Sequence, residues 1–271
     1  LTMTSVVSGK ACLRPWSGKV TEMSARPLIL LVDTSLAGAR LALVERANPR
    51  SIWTGSANEV QGSAARLPGL LAEGLLSTGA GTKDICGAVV STGPGSFTGI
   101  RVGIAFARGL GAGLGRPVAG CSSLGLLAAR RAAMSGTSVA VLAGSTATNG
   151  YLAFSADGKF PLLTAISVDS LSWPDETPTM RVMLAAGWSL MEKKLAGTGL
   201  DLEVVPVAKI ADEALLCMAN AAPLLLTGDW TSGGGYSESE LDPVYLRRSS
   251  VEERLDDRPE QAGRNHGGGF S

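Results

Sequence analysis

Two stretches of this chain repeat one pattern. "PLILLVDTSLAGARLALVE" at 27–45 and "SVAVLAGSTATNGYLAFSADG" at 138–158 each pass from an apolar run through a polar turn into a second apolar run. A short continuous apolar run is what a strand covered on both faces requires. A strand–turn–strand unit that occurs twice, each time followed by helical segments, predicts two similar lobes. Asp33-Thr34-Ser35 and Gly38 supply the chemistry of the first turn.

The rest of the chain fills in around these units. "SIWTGSA" at 51–57 continues the first sheet, and "DICGAVVSTG" at 84–93 is a further buried strand. Leu67, Leu70, Leu71 and Leu75 fall at helical spacing within 63–78, with Pro68 marking the helix start or a bend. A long helix is expected from Phe97 to Gly113, a short strand in "PVAGCSS" at 117–123, and a helix in "LGLLAARRAAM". The second half holds "RVMLAAGW" and a helix-like "ADEALLCMANAA", and "PLLLTGDW" at 223–230 reads as a strand. Residues 231–240 are loop-like, and "LDPVYLRRSS" is the last ordered piece. The expected organisation is an extension over 1–26, a first lobe over 27–133, a second over 134–250 and an unstructured tail over 251–271.

Composition excludes several functions. Twenty-four basic and 24 acidic residues leave no net charge, whereas a free-standing nucleic-acid binder carries a basic excess. The four cysteines, Cys12, Cys86, Cys121 and Cys217, form no C-x-x-C pair and read as reduced, partly buried thiols. The single histidine, His266, lies in the polar tail, which removes most histidine-based metal sites and Ser-His or Cys-His catalysis. Neither a signal peptide nor a spanning helix is evident, so no membrane role and a cytoplasmic location are expected.

"STGPGSFTGIRVGIAFARGLGAGLG" at 91–115 poses the functional question. It resembles a phosphate loop but matches neither G-x-x-x-x-G-K-[ST] nor G-x-G-x-x-G, and "GPGSFTG" is not a G-x-S-x-G nucleophile turn. A strand-to-helix turn capped by Ser96 or Thr98 is the preferred reading. Gly95, Gly99, Gly103, Ala107, Gly111 and Gly115 recur every four residues, near one helix face. Each glycine costs about 1 kcal/mol of helix propensity against alanine, so close approach of another backbone is expected as compensation. Phe97, Ile100 and Ile104 form a neighbouring stripe, and Arg101 and Arg108 share another side. The helix either packs on its own sheet alone or also presents a face to a partner.

"ILLVDTS", "STGPGSFTGIRVG" and "DPVYLRR" occur together and in order, and over roughly 27–250 the chain resembles the TsaB (YeaZ) family, relatives of the actin and sugar-kinase-like ATPases. The resemblance implies an α/β fold of two actin-like (ribonuclease H-like) lobes, each a mixed sheet flanked by helices. It implies a non-catalytic scaffold subunit in N6-threonylcarbamoyladenosine (t6A) synthesis at tRNA adenosine 37. Its partners would be a TsaD-like catalytic paralogue and a TsaE-like ATPase, with tRNA reached through the complex and a homodimer when alone. It would have no cofactor of its own; ATP and a metal would belong to the partner subunits. The resemblance favours a partner interface over Leu67, Leu70, Leu71, Leu75, Phe97, Gly99, Ile100, Arg101, Gly103, Ile104, Ala107 and Arg108, the glycines making room for another protein's helix.

Two departures accompany it. A D-A-R-like turn usual in the second lobe reads "GSTATNGY", with Gly144 at the acid position, Thr146 near the arginine position and Tyr151 kept. A histidine common in the first-lobe helix is missing from "QGSAARLPGLL". An actin-like ATPase needs two phosphate turns and an adenosine pocket. Here the first turn offers Asp33, Thr34 and Ser35, read as turn caps or a vestigial nucleotide or metal contact. The second has no carboxylate, and "GGGY" at 233–236 is a weak adenosine element. A weak ATPase or small-molecule kinase using Asp33, and a regulatory homodimer, are the alternatives. Arg247 and Arg248 are candidate tRNA phosphate contacts.

Overall fold

The computed structural model describes residues 26–36, 38–49, 51–57, 63–156, 161–171, 180–226 and 241–244. The 1–25 part of the expected extension, "GGGY", residues 245–248 and the 251–271 tail lie outside the described residues.

The repeated pattern folds into repeated topology. In the first lobe β1 (Leu28–Asp33), β2 (Ala39–Glu45), β3 (Ser51–Ala57), β4 (Ile85–Ser91) and β5 (Val118–Cys121) form one sheet in the order β3-β2-β1-β4-β5. In the second, β6 (Val139–Gly144), β7 (Asn149–Ser155), β8 (Leu162–Ser167), β9 (Arg181–Ala185) and β10 (Asp201–Val205) give β8-β7-β6-β9-β10. Each sheet joins an antiparallel meander of three strands to two parallel strands. The fold class is therefore the expected one: α/β, two actin-like lobes, each a mixed sheet flanked by helices.

β1 is apolar throughout because both of its faces are covered. Leu30 and Val32 turn toward α1 (Leu67–Thr78) and α2 (Phe97–Leu114), while Ile29 and Leu31 turn toward α5 (Val207–Leu225). α3 (Ser123–Ser135) packs its Leu124, Leu127, Ala128 and Ala132 on the second sheet, and α4 (Ser189–Leu195) covers that sheet's other side. α5 serves both lobes. Its Ile210, Ala214 and Cys217 join the second-lobe core, and its Leu215, Met218, Ala219 and Ala222 join the first. The packing thus crosses the 133/134 boundary in both directions.

The expected strand over 223–230 is corrected for its first part: Pro223 lies inside α5. The apolar spacing Leu215, Met218, Ala219, Ala222 and Leu226 carries the buried helical face through the proline, and tertiary burial overrides the local signal. Residues 227–230 lie outside the described residues.

Candidate functional site

The first turn and the glycine loop are knitted together. Asp33 Oδ1 accepts from the Ser35 backbone N–H at 2.9 Å and from Ser35 Oγ at 2.7 Å, so Asp33 closes its own turn. The Ser96 N–H donates to the Ser35 carbonyl at 2.6 Å, and Thr34 Oγ1 donates to the Gly99 carbonyl at 2.7 Å. Ser96 caps α2 by accepting from Gly99 N–H at 3.1 Å, as a turn-and-cap reading requires. Gly93 N–H donates to Ser91 Oγ at 3.4 Å. Three N–H groups of the loop that a phosphate would recruit are therefore bonded within the chain.

The expectation that the four-residue glycine row makes room for another protein's helix is corrected. A Cβ at Gly95 would overlap the Ser35 carbonyl, one at Gly99 the Thr34 carbonyl, and one at Gly103 the Thr34 hydroxyl. The close approach is real, but the approaching backbone is the chain's own first turn. The α2 stripe is likewise inward: Ile100, Ile104 and Ala107 are buried in the first-lobe core with Leu67, Leu70, Leu71 and Leu75 of α1. Phe97 is half-buried beneath Arg101, whose guanidinium carbon sits 3.7 Å from the ring centroid. Arg101 and Arg108 are exposed. Of the twelve candidate interface residues, these two arginines face outward. Ala105, Gly109, Ala112 and Gly113 are exposed on the same helix, and Ala72, Glu73 and Leu76 on α1. Leu76 is 85% exposed. Sequence periodicity marked which positions are small; it could not say which way the row faces.

Behind the first turn lies a buried hydroxyl cluster. Ser123 Oγ is 3.0 Å from Ser91 Oγ and 3.4 Å from Ser35 Oγ, joining the ends of β1 and β4 to the start of α3. Asp33 Oδ2 is buried with no protein hydrogen-bond partner. Burial pushes the nearby Cys121 thiol up, and the Asp33 carboxylate adds to that shift. Among the described residues, no three His, Cys, Asp or Glu side chains gather as a metal site would need.

The second turn is built differently. Trp188, 3% exposed, lies under it and donates from Nε1 to the Ala147 carbonyl at 2.9 Å. A Cβ at Gly150, or in milder measure at Gly144, would run into the indole ring. Ser145 and Thr146 N–H both donate to the Asn149 carbonyl, and Val168 N–H to that of Thr148. Sequence reading missed Trp188, which no local pattern links to a turn 41 residues away.

The two lobes meet at these turns. Tyr151 Oη donates to the Gly95 carbonyl at 3.0 Å, and Leu36 packs against the second-lobe core. Arg40, 3% exposed, donates from Nε to Asp212 Oδ1 at 2.7 Å. Val244 N–H donates to the Thr92 carbonyl at 2.8 Å, returning the "LDPV" segment to the glycine loop, with Leu241 in the first-lobe core. Tested against the nucleotide and Mg²⁺ of an ATPase, these residues fit at one side only. Asp33 offers an oxygen without a protein partner, whereas the second turn offers no acid and is braced from below. The pair does not form a two-sided triphosphate clamp.

Comparison with known proteins agrees with the resemblance to the TsaB (YeaZ) family. The family model described as TsaD, tRNA N6-adenosine threonylcarbamoyltransferase, matches residues 60–165. The tRNA threonylcarbamoyladenosine biosynthesis protein TsaB of Buchnera aphidicola subsp. Schizaphis graminum (strain Sg) is 31% identical over 101 residues, 37% of this chain and 47% of that protein. The chain therefore spans about half the length of the curated relative it matches. YeaZ from Pseudomonas aeruginosa superposes with a TM-score of 0.58 at 24% identity, covering 81% of this chain and all of YeaZ. A second Pseudomonas aeruginosa protein, with similarity to peptidase YEAZ, gives 0.60 at 22%, covering 82% and all of that chain. At those identities the two structures speak to the fold. Among the described residues, no helix is long and apolar enough to cross a membrane.

Proposed function

We propose that this chain is a non-catalytic partner subunit in t6A synthesis on tRNA adenosine 37, ordering a TsaD-like catalytic subunit through the outer surface of its first-lobe helices. The observation that carries the reading is the 31% identity to a TsaB over 101 residues, on a fold shared with YeaZ. The surface supports it. α1 and α2 lie on one face of the first sheet, and the outward side of α2 presents Arg101, Ala105, Arg108, Gly109, Ala112 and Gly113. Small side chains let a second helix come close, and α2 has no acid to oppose its two arginines, so an acidic partner surface is complementary. ATP and a metal act in the partner subunits, with a TsaE-like ATPase joining the pair and tRNA reached through the assembly.

The test is affinity capture with the TsaD-like subunit. Gly109 faces open space, so Gly109→Glu leaves the core intact and is expected to abolish pairing. An unchanged affinity would refute this placement, and no complex at micromolar concentration would refute the reading itself. Gly103 is unsuited to the purpose, since a side chain there collides with Thr34.

A second reading, a weak ATPase or small-molecule kinase at Asp33, draws on the buried Oδ2 without a protein partner. Turnover by the isolated chain that disappears in Asp33→Ala would establish it.

A further inference from the structure

Contacts join the first turn, 33–36, and the glycine loop behind it to the second lobe beside its own turn at 144–149. Leu36, on the first turn, packs into the second-lobe core, whose members include Ala143 at the start of the second turn and Tyr151 just beyond it. Gly95 is pressed against the Ser35 carbonyl, so closely that no side chain fits, and its own carbonyl receives the Tyr151 hydroxyl. Trp188 then holds the second turn by the Ala147 carbonyl. First turn, glycine loop, Tyr151, β7, second turn and Trp188 make one continuous chain of contacts.

We infer that Leu36, Gly95 and Tyr151 staple the lobes shut, with Trp188 bracing the second turn, so that the lobes move as one body. This is independent of the pairing proposal. It predicts a shape-constant subunit, unlike a nucleotide-driven fold whose lobes open and close about a hinge. The staple holds by contacts rather than by charge: a phenol hydroxyl on a carbonyl, a leucine in an apolar pocket and an indole N–H on a carbonyl. Salt therefore leaves it unchanged.

Amide hydrogen exchange on the full chain tests it, since local opening is what exchange reads. Tyr151→Phe keeps the ring and removes the hydroxyl. It is expected to speed exchange in 93–99 and in 144–151 together, by about fivefold for one lost hydrogen bond. Trp188→Phe keeps an aromatic ring without the indole N–H and is expected to speed exchange in 144–150. Acceleration on only one side of the Tyr151 bond, or on neither, would overturn the staple. Unchanged exchange in Trp188→Phe would overturn the brace.

Discussion

The Tyr151 hydroxyl reaches out of the second lobe and donates to the Gly95 carbonyl at 3.0 Å, in the loop that opens α2. That bond joins the two sequence features that differ most in character: a loop marked by its glycines and a turn marked by what it lacks. Tyr151→Phe is expected to cost about 1 kcal/mol of unfolding free energy, the usual net value of one such bond. Urea denaturation measures it, and a variant as stable as wild type would show that the bond does not hold the native state.

The glycines of α2 and of the loop that opens it are expected to split by what they face. Gly95→Ala and Gly99→Ala push a methyl into the carbonyls of Ser35 and Thr34, which are backbone and cannot step aside. Each is expected to destabilise by about 1–3 kcal/mol, the range of overpacking and strain. Gly109→Ala and Gly113→Ala face open space and are expected to stabilise by about 0.5–1 kcal/mol through helix propensity. Denaturant midpoints that move the same way for all four would contradict the orientation of α2.

The same contrast shows what the sequence could and could not disclose. The apolar runs at 28–32 and 139–143 declared themselves as strands because each is buried on both faces. The helix expected over Phe97 to Gly113 runs one residue further, to Leu114, and closes at Gly115 in the left-handed region. The four-residue spacing announced a close approach, yet spacing has no sign: it does not distinguish the chain's own turn from a partner's helix. The edge strands β8 and β10 went unread because their partial burial leaves no clean alternation. Trp188 was invisible for a different reason, since its partner turn is distant in sequence and only folding brings them together.

Arg40 supplies a test of the contact between α5 and the first sheet. Its guanidinium is buried against the exposed Asp212 carboxylate. Asp212→Asn removes this carboxylate charge from the buried guanidinium and is expected to cost about 1–3 kcal/mol, well above the usual value of a surface pair. The half-exposed Arg26–Glu45 pair is the internal control, since Glu45→Gln is expected to cost under about 1 kcal/mol. Thermal or urea unfolding of the two variants side by side decides, and equal effects would contradict a buried role for Arg40.

The thiols give a pH prediction. Burial pushes Cys217 up to about 11 from 9.0, Glu213 adding and Arg130 and Arg131 opposing. The unfolded chain therefore loses this proton first. The stability contributed by keeping the thiol neutral is whole below pH 9.0 and is lost as the pH climbs toward 11. At pH 8 the two-unit shift lowers the thiolate fraction about 100-fold, so native Cys217 is expected to alkylate about 100-fold more slowly than in the unfolded chain. Time-resolved mass spectrometry with iodoacetamide reads this directly; equal rates would contradict the burial of α5.

The central proposal is that this chain serves t6A synthesis as a non-catalytic subunit. Reconstitution of tRNA modification from a TsaD-like subunit, a TsaE-like ATPase, threonylcarbamoyl-adenylate and substrate tRNA, with and without this chain, measures it most directly. t6A formation is expected with the wild-type chain and with Asp33→Ala, and little or none with Gly109→Glu or with the chain left out. Modification at the same rate without the chain would contradict it.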